Sequence, residues 1–163
     1  IPDTLITANA TLGQAIQELR SLSKSMDREW LEQFSFDENL VAEINRIHST
    51  NVINARYINE GDLPLKSDNQ IILFRIVQES IQNAIKHAKP KNILVSIERS
   101  NTFINISIRD DGSGFMPGNE VNGMGVNNMK HRTKILGGTI KWQSESQLGT
   151  TVLITLPVNP ELL

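Results

Sequence analysis

Two strand-like runs, NILVSIERS and FINISIRD, are joined by a short turn through Ser100, Asn101 and Thr102, and they lead straight into DGSGFMPGNEVNGMG. Those fifteen residues hold five of the chain's ten glycines. The order commits the chain to a strand pair followed by a long glycine-rich loop. A helix of about ten residues, VNNMKHRTKILGG, comes next and ends on glycine, and TIKWQSES and TTVLITLP read as a closing hairpin. Upstream, DENLVAEINRIHS places Leu40, Val41, Ile44 and Ile47 on one helical face, with Asp37 as N-cap. His48 falls on the same stripe and reads as a packed or partly buried histidine. VINARYIN reads as a strand before the turn EGDLP, and a helix over 68–88 is capped by Asp68 and stopped by Pro90. The expected fold class is α+β, with helices on one face of a mostly antiparallel sheet.

A chain of 163 residues with 39% hydrophobic content can bury one core. Its 16 basic and 18 acidic residues, for a net charge of -2, give no case for binding nucleic acid or an acidic membrane surface. Without cysteine there is no disulfide, thiolate metal site or cysteine nucleophile. No apolar run approaches the roughly 20 residues that span a bilayer. The chain opens on Ile1 rather than Met, so a piece of something longer is expected. In its first segment Leu5, Leu12, Leu19 and Met26 share one heptad position, and Ala8, Ala15 and Leu22 the position three later. Residues 1–28 are therefore expected to be a bundle helix, with a compact domain over 29–163.

Within helix 68–88, the stretch QESIQNAIKHA turns an apolar stripe polar. At about 100° per residue Glu79, Asn83 and His87 fall within roughly 80° of one another, on the arc that carries Ile72 and Ile76 earlier. An amide oxygen at Asn83 suits Mg²⁺, a hard cation that keeps water and substrate phosphate around it. Glu79 can hold a metal-bound water or accept a proton, and Lys86 and His87 can meet phosphate. The plainer alternative is the solvated edge of an amphipathic helix. Glycine pairs frame the loop as DDGSG at 110–114 and GMG at 123–125, the second opening a helix whose N–H groups attract anions. Asp110 ends a strand there. A carboxylate accepts hydrogen bonds and cannot donate, so it suits the exocyclic amine of adenine and repels guanine's carbonyl. The alternative is that Asp110 and Asp111 only cap the turn.

These motifs carry a resemblance. QESIQNAIKHA is similar to the N box of the GHKL ATPases, the superfamily of gyrase, histidine kinases and MutL; DDGSG resembles its D-x-G-x-G box, GMGVNNMKHR its second glycine box, and GTTVLITLP its final strand pair. Four motifs in order over about residues 68–157 are more specific than any one. Their form is most similar to the NarX-like and LiaS-like sensor histidine kinases. The resemblance implies a two-layer α/β sandwich of the Bergerat fold that binds ATP and Mg²⁺ under a lid at roughly 115–125, mobile without nucleotide. It implies Asn83 at the Mg²⁺ position and Asp110 at adenine, helped by Thr150 through water. Gly112 and Gly114 would form the turn beneath the base, and Gly123 and Gly125 the lid's phosphate end. Glu79 matches the acidic catalytic position, with Lys86, His87 and Arg132 as phosphate contacts.

A histidine kinase of this subclass phosphorylates a histidine followed by an acidic residue, and none of His48, His87 and His131 fits that description. The acceptor is expected on a dimerisation helix outside this chain, with 1–28 resembling that bundle's second helix. The implied partners are the dimerisation domain of a homodimer and a response regulator, with no nucleic acid and no membrane contact. The implied location is cytoplasmic, free or as the inner part of a membrane-bound sensor. Two other readings stay open: a hydrolytic ATPase of the gyrase and MutL kind, in which Glu79 activates water, and a nucleotide-binding regulatory module without turnover.

Overall fold

The computed structural model describes residues 31–115 and 123–159. The helix expected over 1–28 and residues 116–122 of the expected lid lie outside them. Among the described residues three α-helices and five strands follow in the order α1 (Phe36–His48), β1 (Asn54–Glu60), α2 (Ser67–Asn83), β2 (Asn92–Arg99), β3 (Phe103–Asp110), α3 (Met124–Ile135), β4 (Thr139–Glu145) and β5 (Gly149–Pro157), with a π-helical turn (Ala84–Ala88) after α2.

Local signals start the helices, though not all the expected ones. α1 is capped by Ser35, whose Oγ accepts from the Glu38 backbone while the Glu38 carboxylate accepts the Ser35 N–H at 2.8 Å, a reciprocal capping box. Asp37 is therefore not the cap. It lies in the first turn and accepts from the Tyr57 hydroxyl and, at 2.9 Å, from the Asn59 amide, tying α1 to β1. The buried face of α1 is Phe36, Asn39, Leu40, Glu43, Ile44 and Ile47. At about 100° per residue its centre lies on the Asn39 and Glu43 side of Leu40, which leaves Val41 45% exposed and His48 exposed too, against expectation. α2 starts after Lys66 without a side-chain cap, and Asp68 instead places its charge in the first turn, where the helix dipole favours it. The helix closes in a π-helical turn, Ala84–Ala88, and stops at Lys89, which is left-handed (φ 48°), just before Pro90.

The sheet order is β1-β2-β3-β5-β4. Only β1 and β2 pair in parallel, and α2 makes the crossover between them. Ile93, Val95 and Ile97 on β2 face Asp110, Ile108 and Ile106 on β3, which in turn face Thr150, Val152 and Ile154 on β5. Because side chains alternate along a strand, these rows share one face. The isoleucines and valines among them are at most 6% exposed and join the helices in one core; Phe36 and Phe74 meet edge to face, 6.5 Å apart, between α1 and α2. The opposite face carries exposed Glu98, Asn105 and Arg109. At one end the inner rows turn polar: beyond Ile93 the last row runs through Asp110, Thr150 and Ser144.

Candidate active site

A cleft of about 510 Å³ opens at that polar end, between α2, the N-terminus of α3 and the β3, β5 and β4 strands. That is the size of an ordinary small-molecule site. Asp110 and Thr150 form its floor, and Asn83 and His87 line the side given by α2 and its π-helical turn. Gly123 and Gly125 line the end where α3 begins, and Glu79 faces them. A Cβ on Gly125 would lie 2.1 Å from the Glu79 Oε1, so the carboxylate rests against the first turn of α3.

The glycines beside Asp110 are dictated by contact. A Cβ on Gly112 would fall 2.4 Å from the Ala88 Cβ, where the Ser113 N–H reaches the Ala88 carbonyl at 3.0 Å and fastens the turn to the end of α2. Gly114 has a φ of +60°, and its Cβ would lie 2.1 Å from the Glu145 carbonyl oxygen. Backbone alone fits at both positions. Gly114 lines the cleft and Gly112 does not.

Asp110 is 6% exposed, and burial pushes its carboxyl above its ordinary range. The backbone N–H groups of Gly112, at 2.8 Å, and Thr150 oppose that rise, and Asp111 adds to it. Apolar and aromatic side chains line the same cleft: Phe115, Val126, Met129, Trp142 and Val152. An acceptor-only group on an apolar floor suits a flat heteroaromatic ring with a donor on its edge.

Glu79, Asn83, His87, Asp110, Gly114, Gly123, Gly125 and Thr150 thus come together in one cleft, whereas Lys86 and Arg132 do not line it. Lys86 is exposed. Arg132 lies beside Arg75, whose pKa is lowered by burial first and then by the Arg132 charge. Sequence reasoning missed Ser80, Phe115, Met129 and Trp142. Ser80 Oγ lies 2.9 Å from the Ile76 carbonyl and 3.2 Å from the Met129 sulfur, joining α2 to α3, and Lys130 sits 5.7 Å from the Trp142 ring centre. Counting the β4 register back from Thr150 was the signal that could have found Trp142. Among the described residues no group of three or more His, Asp or Glu side chains is placed to hold a metal ion. A cation here needs oxygen atoms from its ligand, as Mg²⁺ takes them from phosphates.

The family model for histidine kinase-, DNA gyrase B-, and HSP90-like ATPases matches residues 68–160. The signal transduction histidine-protein kinase/phosphatase DegS of Brevibacillus brevis is 33% identical over 115 residues, which are 70% of this chain and 30% of that protein. Sensor histidine kinase LiaS of Bacillus subtilis (strain 168) is 27% identical over 150 residues, covering 91% of this chain and 41% of its own. The chain spans 26% to 41% of the length of such curated relatives. In structure it resembles the histidine kinase domain of the Erythrobacter litoralis EL346 blue-light activated histidine kinase, at a TM-score of 0.70 and 17% identity over 93% of this chain and 87% of that one. The ATP binding domain of PrrB from Mycobacterium tuberculosis matches at 0.53 and 20% identity, over 68% and 86%. These likenesses show the fold. The family match takes in α3, every strand but β1 and every residue lining the cleft, and the chain belongs to the histidine kinase-, DNA gyrase B-, and HSP90-like ATPase family.

Proposed function

We propose that this chain is the ATP-binding catalytic domain of a two-component sensor histidine kinase, which holds Mg-ATP and gives its γ-phosphoryl group to a histidine on a dimerisation helix. The observation that carries the reading is the buried Asp110 carboxylate on the floor of a cleft whose other end is the N-terminus of α3. Adenine meets Asp110 and Thr150, and the phosphates run toward Gly123 and Gly125, where N–H groups and the helix dipole favour negative charge. Asn83 and Glu79 offer oxygen atoms for Mg²⁺, which when bound neutralises phosphate charge. His87 lies on the same wall.

The residues of this chain position more than they react. An imidazole nitrogen from the dimerisation helix attacks the γ-phosphorus, the bond to the bridging oxygen breaks, and ADP leaves with that electron pair. Glu79, at the α3 end of the cleft, is the proposed proton acceptor. Lys86 and Arg132 are left out of the site because neither lines it. The partners that follow are a second subunit carrying the acceptor helix and a response regulator. Among the described residues no helix is long and apolar enough to cross a membrane. We place the reaction in the cytoplasm, where ATP is available.

Calorimetric titration with ATP, with and without Mg²⁺, and with GTP tests the reading. ATP should bind in preference to GTP, with Mg²⁺ strengthening it, and no acid-labile phosphate should accumulate on this chain until a histidine-bearing helix is supplied. A folded chain that takes up no nucleotide overturns the proposal, and stoichiometric phosphate on the chain alone overturns the placement of the acceptor.

A further inference from the structure

Ser144 has no role in the site as described, yet it completes the row that forms the floor. It lies on β4 opposite Thr150, and Thr150 lies on β5 opposite Asp110. Directly opposed side chains of this kind have Cβ atoms about 4.5–5.5 Å apart. The Ser144 Oγ is a junction: it donates to the Gly149 carbonyl at 3.0 Å, accepts the Phe115 N–H at 2.8 Å and lies 2.9 Å from the Thr150 Oγ1.

A serine hydroxyl has one proton and two lone pairs. With its proton on Gly149 and one lone pair on Phe115, Ser144 has only a lone pair left for Thr150. Thr150 must donate. The reverse polarity would withdraw the proton from Gly149 and leave one contact of the junction unmade. Once its single proton points at Ser144, Thr150 turns only lone pairs toward the cleft that it lines with Asp110.

We infer that Ser144 sets the hydrogen-bond polarity of the base site, making Thr150 a second acceptor beside Asp110 and so selecting a ring edge that carries an amino group over one that carries a carbonyl. An exocyclic amine has two N–H donors for two acceptors. A carbonyl at the same place meets lone pairs on both sides. Ser144 does not line the cleft and acts through Thr150, so it is a positioning residue. The inference rests on the proposed ATP reading and adds a determinant to it: discrimination does not reside in the Asp110 carboxylate alone.

The test compares calorimetric binding of ATP and of inosine 5′-triphosphate, whose base has a carbonyl where adenine has its amine. Wild type should favour ATP. Ser144→Ala frees the Thr150 proton to rotate toward the ligand, and the ATP-to-inosine ratio should fall roughly tenfold, the effect of turning a repelled contact into a hydrogen bond. Ser144→Thr, which keeps the hydroxyl, should restore the ratio. An unchanged ratio in Ser144→Ala overturns the inference, whether both affinities hold or both fall together. Should that variant not fold, Thr150→Val removes the proton and the lone pairs with little change in shape, and an unchanged ratio there overturns it as well. A folded wild type that binds neither nucleotide overturns the ATP reading itself, a result distinct from ATP binding with an insensitive ratio.

Discussion

The floor of the cleft and the outer corner of the sheet beside it are built from consecutive residues, and they use carboxylates in opposite ways. Asp110 is buried among apolar side chains, and that burial raises its pKa above the ordinary 3.8 in spite of the Gly112 and Thr150 N–H groups. Asp111 is exposed; what burial it has raises its pKa, but hydrogen bonds from Asn92 and from the Lys91 and Asn92 backbone outweigh this and hold it below 3.8. Those bonds are 2.8, 2.8 and 2.7 Å long and tie the end of β3 to the start of β2. One carboxylate keeps acceptor capacity for a ligand while the other is occupied by its own chain. The pleat separates the two roles, since neighbouring residues point to opposite faces.

The largest effect that sharpens this contrast is expected from Asp110→Asn. The substitution keeps the shape of the side chain and removes the charge, and it puts a donor where an acceptor is needed. Loss of a charge-assisted bond of about 1.5–3 kcal/mol corresponds to roughly 10–100-fold weaker ATP binding. Stability should hold or rise slightly, because a desolvated charge is removed. Titration calorimetry beside thermal unfolding reads both quantities. A variant that binds ATP as wild type does would remove Asp110 from base recognition and erase the difference between floor and corner.

That contrast was half legible in the sequence. The DDGSG stretch, the strand pair before it and the helix after GMG announce a strand ending in a ligand loop, because alternation and glycine spacing are local signals. Which aspartate faces inward depends on the register of β3 against β2 and β5, which pairs Asp110 with Ile93 and Thr150. The resemblance chose the aspartate that lines the cleft; the turn-capping alternative holds for Asp110 as well, whose Oδ1 accepts the Gly112 N–H at 2.8 Å, whereas Asp111 ties the strand end to β2. Ser144 and Trp142 escaped notice because their place depends on counting across two hairpin strands. The helix caps differ from expectation for another reason: Asp37 is a good capping residue by type, but the box formed by Ser35 and Glu38 satisfies the α1 terminus first, and Asp68 lies within the first turn of α2, past the cap position. In the polar stripe of α2, Asn83 and His87 stay on the cleft side through the π-helical turn, while Lys86 in the same turn does not line the cleft.

A smaller effect with the opposite signature is expected from Asp111→Ala. It removes an acceptor shared by three donors at the strand end, on an exposed site where solvent replaces much of what is lost. A cost of about 1 kcal/mol in unfolding free energy is expected, with ATP affinity within about twofold of wild type. Denaturant unfolding and calorimetry measure the pair of values. If affinity collapsed while stability held, Asp111 and not Asp110 would be the ligand's partner.

The smallest effects lie in the pH dependence of stability, and here the two carboxylates have opposite signs. For Asp111, whose folded pKa lies below 3.8, the unfolded chain binds more protons; its contribution is present above 3.8 and is lost as pH falls from there through the folded value. For Asp110, whose folded pKa lies above 3.8, the folded chain binds more protons, so stability declines as pH rises from 3.8 through the raised value. Unfolding free energy followed through this acid range should lose its downward component above 3.8 in Asp110→Asn, and part of its rise below 3.8 in Asp111→Asn. Asp110→Asn should leave the window below 3.8 in place, while Asp111→Asn should only trim the window above 3.8, because the Asp111 charge is the smallest of the causes acting on Asp110. Were Asp111→Asn to flatten the window above 3.8, the buried titrating group would be at the corner, and the division between a floor open to ligand and a corner closed on itself would have to be reversed.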